Sequence, residues 1–358
     1  MLLWSLLKEF SKLYKTEDYC DKMLCYCVAA DEWDSVLEVI ELMKRQGLVQ
    51  ERSSYRACLL GCYKAGNGAS AKEILNAMKL ALVTPEPEDI SLAIGAMCRN
   101  SEQEPASWRR ALALLKREVE AIQSPENVIP VEGYDAIIST MADDKQWKEA
   151  VRLIRLMEGD KSENWIHPRP TVASYRSAIE CCVRAGQVEQ AAQLLYLMKD
   201  KGVKPTVYTF ELVVSALGKK LQWRRALQLL DLMADMNVGK SVTLYNSVIS
   251  SCAKAREVGM AKNLLSKMRR EGISPNIYTF NSVISACAGT NRWQDALALV
   301  DQCNREPGVT PDIYTYTNAM RACARGGKTR RALSMLQVVK DKGLPIDSYC
   351  YTAVIDGK

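Results

Sequence analysis

Ser274-Pro275-Asn276-Ile277-Tyr278-Thr279-Phe280-Asn281 and Thr310-Pro311-Asp312-Ile313-Tyr314-Thr315-Tyr316-Thr317 are two versions of one sentence. A proline forbids the preceding helix from continuing, and a hydroxyl-aromatic run then opens a new one. Lys204-Pro205-Thr206-Val207-Tyr208-Thr209-Phe210 repeats it. Aligned on these aromatic starts, the chain resolves into nine units: 17–51, 52–86, 87–130, 131–171, 172–206, 207–241, 242–276, 277–312 and 313–347. Six of the nine are 35 residues long, which sets the period. A fixed period of this size implies a stack of like helical units rather than a globular enzyme core.

Each unit reads as two antiparallel helices. In 242–276 the first places Val248, Ile249 and Cys252 on one face, and the second does so with Val258, Ala261, Leu264, Leu265 and Met268. Both sets recur at helical spacing. Gly272 then ends the second helix and Pro275 prevents its continuation. The stop returns at Gly47, at Gly202 with Pro205 and at Gly343 with Pro345. Ala111, Ala150, Ala191, Ala226, Ala261, Ala296 and Ala332 recur in the second helix, where a small residue permits close approach. Trp33, Trp108, Trp147, Trp223 and Trp293 stand three residues before that site, a register that favours packing over base stacking. The extra length of 87–130 is expected around Asn100 to Ala106, between its helices. That of 131–171 is expected around Gly159 to His167, after its second helix.

Residues 1–16 read as the second helix of a partial repeat, 17–171 as degenerate acidic repeats, 172–347 as well-formed basic repeats, and 348–358 as a partial first helix. Neither end reads as a polar cap, so a longer array is expected. Residues 1–171 hold 22 Lys and Arg against 27 Asp and Glu, whereas 172–358 hold 26 against 15. The second half thus has the electrostatic footprint of a nucleic-acid surface. No apolar run approaches the ~18 residues of a membrane span. Met1-Leu2-Leu3-Trp4-Ser5-Leu6-Leu7 has neither a basic n-region nor the Arg-rich character of a transit peptide.

Thirteen cysteines suggest metal or redox chemistry, and their register argues against it. Cys27, Cys62, Cys182, Cys252, Cys287 and Cys323 occupy one place in six units, late in the first helix, as core residues do. Cys25 with Cys27, and Cys181 with Cys182, have the wrong spacing for zinc. The single histidine, His167, falls in an irregular stretch and reads as structural or exposed. No metal, cofactor, catalytic residue or small-molecule substrate is expected.

The chain resembles the pentatricopeptide repeat family, P-type-like. The resemblance rests on the period, the Thr-Tyr/Phe-Asn helix start, the mid-unit turns Lys64-Ala65-Gly66 and Arg184-Ala185-Gly186, the late methionines (Met43, Met78, Met157, Met198, Met233, Met268) and the Gly-x-x-Pro-Asp/Asn ending. It covers 17–347 and is most specific over 172–347. It implies an all-α, right-handed superhelical solenoid that binds single-stranded RNA, one base per repeat. Two side chains per repeat then choose the base: the one after the Tyr/Phe and the last of the repeat. Asn246 with Asn276 implies cytosine, Asn281 with Asp312 uracil, and Thr317 with Asp347 guanine, a 5′-CUG-3′ core. Tyr208, Tyr278 and Tyr314 are the implied stacking residues, with Thr243 in the remaining repeat. Lys64, Lys219, Lys254, Arg325 and Arg184 stand at the implied phosphate position.

Earlier repeats depart from the pattern. Their selectors are Asp21, Arg56, Ser91, Asp135, Arg176 and Glu211, closed by Glu51, Glu86, Pro130, Thr171, Thr206 and Ser241. RNA reading is therefore expected from about residue 207 onward, and the acidic half is a candidate protein-binding surface. The resemblance further implies an adaptor in organellar RNA processing, stability, editing or translation, hence mitochondrion or chloroplast. The alternatives are a protein-binding scaffold and the RNA-binding part of a longer enzyme. The His-x-Glu and Cys-x-x-Cys of a zinc deaminase do not occur. Exchange of Asp312 for Asn is expected to move the middle base from uracil toward cytosine with little effect on stability, on the reading that Asp312 lies in a surface turn.

Overall fold

Helix boundaries in this chain are written by its caps. In the computed structural model, which describes residues 52–99, 106–121, 128–159, 167–346 and 348–355, the residues closing one repeat cap the first helix of the next. Thr171, Thr206, Ser241, Asn276 and Asp312 all have extended backbone, and their side chains accept the N–H three residues on. Thr171, Asn276 and Asp312 form reciprocal capping boxes with Ser174, Thr279 and Thr315. A cap of this kind is worth about 1 kcal/mol. The far end of a helix closes through a left-handed residue. Gly272 has φ +74°, its N–H meets Arg269 O at 3.0 Å, and Ile273 N–H meets Met268 O at 3.0 Å. Leu221 adopts the same hand, φ 58°, at a mid-repeat turn where a sister repeat has Gly186.

Among the described residues there are 17 helices and no strand. The chain divides into two compact blocks, Met1–Gln187 and Val188–Lys358. The first contains α1 (Arg52–Ala65), α2 (Gly68–Leu80), α3 (Pro87–Arg99), α4 (Ser107–Ala121), α5 (Val131–Asp143), α6 (Trp147–Met157) and α7 (Val172–Arg184). The second contains α8 (Val188–Asp200), α9 (Val207–Lys219), α10 (Trp223–Asp235), α11 (Val242–Lys254), α12 (Val258–Arg270), α13 (Ile277–Gly289), α14 (Trp293–Arg305), α15 (Ile313–Arg325), α16 (Thr329–Asp341) and α17 (Ser348–Ile355). Residues 1–51, with Asp21, Cys25, Cys27, Trp33, Met43, Gly47 and Glu51, lie outside the described residues, as does Asp347. So do the residues after Ile355 and most of both long connections.

Within each block the first helices of consecutive repeats pack side by side, and each second helix packs on the first helix of the next repeat. The fold is the all-α helical-repeat solenoid that the period implied. Tyr55, Tyr134, Tyr175, Phe210, Tyr245, Phe280 and Tyr316 occupy one register position and are almost wholly buried. The recurrent alanines from Ala111 to Ala332 are completely buried, which is the close approach their size allows. Cys62, Cys182, Cys252, Cys287 and Cys323 are buried free thiols, and burial pushes Cys62 and Cys182 up to about 12 and Cys252 and Cys287 up to about 11. At such values the reactive thiolate is scarce near neutral pH.

The extra length of 87–130 is split. Seven positions separate α3 from α4 and nine separate α4 from α5, against three and six at the corresponding places of 242–276. The excess expected around Asn100 to Ala106 is therefore found there in part, and the remainder follows in and after α4. Trp108 is buried and donates its Nε1–H to Asp144 Oδ2 at 2.8 Å, while Trp147, Trp223 and Trp293 are half-buried. Trp293 lies against Gly326 so closely that a Cβ there would stand 2.5 Å from the indole, so this ring packs against the end of the next first helix. His167 is half-buried, with Nδ1 3.0 Å from the Tyr134 hydroxyl.

Candidate nucleic-acid interface

The fifth residue of a first helix and the closing residue of its repeat are about 30 positions apart in sequence, and packing of consecutive first helices brings them into contact. Asn246 Nδ2 donates to Asn276 Oδ1 at 3.1 Å. Asn281 Nδ2 faces both carboxylate oxygens of Asp312 at 3.1 and 3.2 Å. All four side chains are half-buried, held by the scaffold yet open on one side. Asp312 Oδ1 also receives Thr315 N–H at 2.8 Å, so Oδ2 is the less committed acceptor. An amide beside an amide offers donors and acceptors, whereas an amide beside a carboxylate offers a donor next to a pure acceptor.

Asp312 is thus not a passive turn residue. It caps α15 with a reciprocal box, and Asn276 does the same for α13. The little-changed stability expected of Asp312→Asn still follows, for a different reason: asparagine caps as well as aspartate.

Thr317, at the same position of the next repeat, is held differently from Asn246 and Asn281. Thr317 is buried, and its hydroxyl donates to Ile313 O at 2.7 Å and lies 3.4 Å from Cys350 Sγ. Its expected partner Asp347 lies outside the described residues.

The three tyrosines project into solvent. Tyr208 is 51%, Tyr278 72% and Tyr314 67% exposed, whereas the aromatics two positions later are buried. An exposed ring at the second position of a helix is available for stacking in a way the core ring is not. Thr243 is exposed at the same position. The sequence reading missed Tyr349, 58% exposed at the second position of α17, with Arg321 5.0 Å above its ring. The 35-residue offset from Tyr314 was the signal that could have found it.

At the phosphate position, Lys64, Lys219, Lys254 and Arg325 are exposed at the ends of their first helices. Lys219 and Lys254 form no ion pair among the described residues, and Arg325 reaches Ala288 O at 3.3 Å. Arg184, in the first block, is committed to Asp143 at 2.7 Å and Glu180 at 2.6 Å.

The early selectors are occupied differently. Arg56 is held by Glu86 at 2.5 Å, Glu88 at 3.0 Å and the buried Asp89 at 2.7 Å, and the Asp89 hydrogen bond raises its pKa. Asp135 accepts from Ser174 and, at 3.4 Å, from Thr171. Burial raises its pKa, opposed by those two hydroxyls. Glu211 accepts from Ser241 at 2.5 Å. Among the described residues no group of three or more His, Cys, Asp or Glu could hold a metal ion, and no helix is long and apolar enough to cross a membrane.

No curated protein matches the chain. The crystal structure of the pentatricopeptide repeat protein PPR10 from maize is 17% identical, with 96% of this chain and 51% of that chain covered and a TM-score of 0.44. A structure of PPR10 in complex with an 18-nt psaJ RNA element is 16% identical, covering 98% and 54%, with a TM-score of 0.46. The chain therefore spans about half the length of these proteins. The PPR domain of Arabidopsis thaliana protein-only RNase P 1, in complex with tRNA, is 13% identical, covering 50% of this chain and 94% of that one, with a TM-score of 0.43. Family models match the repeats directly. The PPR repeat family matches residues 170–219 and 240–289, the pentatricopeptide repeat domain 298–356, and the PPR repeat 208–238 and 278–306. Together these matches span a little over half of the 358 residues, over the repeats whose caps and selector pairs are most regular, and the chain belongs to the pentatricopeptide repeat family.

Proposed function

We propose that this chain binds single-stranded RNA base-selectively through the repeats of its second block, and that it acts as an adaptor in organellar RNA processing, stability, editing or translation. The observation that carries the reading is the repeated selector pair, Asn246 with Asn276 and Asn281 with Asp312, assembled side by side in consecutive repeats. Family membership supports the same reading. The exposed Tyr278 and Tyr314 supply stacking faces, and Lys219, Lys254 and Arg325 supply cations for the backbone. The proposed core is CUG, with Thr317 and Asp347 assigned to its last base and the RNA 5′ end toward the protein N-terminus. Uracil presents an N–H at its N3 edge, which the Asp312 carboxylate accepts. Cytosine presents an acceptor there, which an amide of the Asn246–Asn276 pair meets with an N–H. Mitochondrion or chloroplast is the compartment proposed from the family.

Selection from a pool of random single-stranded RNA tests this on the purified chain, with enrichment of CUG as the expected result. No enrichment, or equal binding to duplex RNA, would overturn it. Asp312→Asn sharpens the register: relative affinity for CUG- and CCG-containing RNAs shifts toward the latter by about 5- to 10-fold, the low end of base-edge discrimination. An unchanged preference would show that the repeat register is misassigned.

A further inference from the structure

Behind each selector stands a residue that no base can reach. The third residue of a first helix faces the fifth residue of the preceding repeat: Thr279 Oγ1 donates to Asn246 Oδ1 at 2.6 Å, and Thr315 Oγ1 donates to Asn281 Oδ1 at 2.6 Å. The same juxtaposition holds Asp89 to Arg56 and Ser174 to Asp135 in the first block, so it is a property of the stacking and not of one repeat. Thr279 and Thr315 are completely buried. We propose that Thr279 and Thr315 are positioning residues for base selection, fixing which end of the preceding repeat's selector amide is oxygen and which is nitrogen. The inference rests on the base reading proposed above.

A primary amide has nearly the same shape after a half-turn that exchanges its oxygen and its NH2. Only hydrogen-bond partners distinguish the two states. In the uracil repeat two groups do so. Thr315 donates to Asn281 Oδ1, and the Asp312 carboxylate requires a donor, so a flipped Asn281 would set oxygen against oxygen. In the cytosine repeat the closing residue is itself an amide, and no carboxylate enforces the direction. Thr279 anchors both amides there: its hydroxyl donates to Asn246 Oδ1 and lies 3.0 Å from Asn276 Oδ1, while its own N–H donates to Asn276 Oδ1 at 3.1 Å. The hydroxyl in turn accepts Asn276 N–H at 3.1 Å. One buried threonine therefore sets the donor and acceptor pattern, its backbone N–H holding the Asn276 amide and its hydroxyl the Asn246 amide, which a freely flipping Asn246 would blur. The dependence on threonine should be greater at the cytosine repeat than at the uracil repeat, where Asp312 retains the bias alone.

The test is competition binding of single-stranded RNAs that differ only at the base facing the Asn246 repeat, CUG against UUG. Thr279→Val keeps the shape and removes the hydroxyl, and Thr279→Ser keeps the hydroxyl. The expected result is a preference lowered about fivefold in Thr279→Val, as for loss of one hydrogen bond, and preserved in Thr279→Ser. Thr315→Val should lower the uracil preference by less. Equal loss of affinity for both RNAs with the ratio intact would assign Thr279 to helix capping alone and overturn the proposal. A second arm needs no RNA: the side-chain amide resonance of Asn246, identified by its loss in Asn246→Ala, should be rigid in wild type and Thr279→Ser and mobile in Thr279→Val. A rigid amide in Thr279→Val overturns the positioning role even if the chain selects bases. A wild type indifferent to the base, with the amide behaving as expected, overturns the base reading instead.

Discussion

The repeats 52–86 and 277–312 place three residues at the same three positions and use them in opposite ways. In the first, Arg56, Glu86 and Asp89 meet as full charges, and Glu88 adds a third carboxylate to the guanidinium. In the second, Asn281, Asp312 and Thr315 meet through an amide, a carboxylate and a hydroxyl, and the pair is left half-open. The scaffold builds the cluster in both. Composition decides whether its hydrogen bonding is consumed internally or leaves an edge for a ligand. Threefold use of one guanidinium is a closed arrangement, whereas a capping aspartate with a lightly used Oδ2 is an open one.

The largest way to break this contrast is Arg56→Ala. Asp89 is completely buried, and without the guanidinium its carboxylate keeps only Glu86 N–H, at 2.9 Å, among the bonds resolved for it. Removing one partner of a buried pair costs roughly 3 kcal/mol, and the local loss is expected to be somewhat smaller because Arg56 is itself partly exposed. Hydrogen exchange over 52–99 should report it. Affinity for RNA should not change, and a loss of RNA binding would show that the closed cluster is also part of the interface. The opposite pattern is expected of Tyr278→Ala and Tyr314→Ala. Each removes an exposed ring worth about 1–3 kcal/mol of stacking, so RNA affinity falls with thermal stability unchanged. Glu132→Ala, at the equivalent exposed position in the first block, should have no such effect.

The fold was legible because its signals are local. A proline stop, a capping side chain and a 3.6-residue apolar stripe each act within one turn or two, and the period multiplied them. Ala261, Cys252 and Met268 were placed in the core from spacing alone, and all three are buried. The site was legible only as far as single positions. That Asp312 caps α15, that Thr315 stands behind Asn281, and that Arg184 is taken by Asp143 and Glu180 are all contacts between neighbouring repeats or helix ends. The Thr315–Asn281 and Arg184–Asp143 contacts depend on which faces of consecutive helices meet, 34 and 41 residues apart in sequence, and no local pattern states it, whereas the Asp312 cap and the Arg184–Glu180 pair lie within one turn and could have been read. Thr317 shows the same limit: its type suggests a presented hydroxyl, and its burial beside Cys350 turns that hydroxyl back on its own helix.

A smaller effect separates the basic residues. Lys219 and Lys254 are exposed without an ion pair among the described residues, so the double change to alanine should flatten the dependence of log affinity on log salt by about 1.4, at ~0.7 per phosphate contact on a single strand. Arg184→Ala should leave that slope almost unchanged, since its charge is already balanced by two carboxylates. An equal change from Arg184 would mean that its ion pairs open when RNA binds.

The smallest change converts one closed cluster toward the open kind. Asp135 sits where Asn246 and Asn281 stand in the second block, and Ser174 and Thr171 donate to it. Burial raises its pKa in the folded chain, Glu132 adds to the rise, and the two hydroxyls and Arg176 oppose it. A carboxyl whose folded pKa is raised holds its proton longer when folded than when unfolded. The folded state is therefore favoured at low pH, and this contribution is lost as pH rises from the ordinary carboxylate range through the raised value. At neutral pH the ionised Asp135 costs stability. Asp135→Asn keeps an oxygen for the Ser174 hydroxyl and removes the charge, as in the asparagine repeats. A gain of roughly half a kcal/mol at pH 7 is expected, an effect of the size common for partly exposed positions. The gain should shrink as pH falls to the low end of the carboxylate range, where the wild-type group is largely protonated in both states. Thermal melting of the two proteins at pH 7 and at pH 3.5 measures it. A gain that is the same at both pH values would trace the effect to packing of the amide and not to the buried charge.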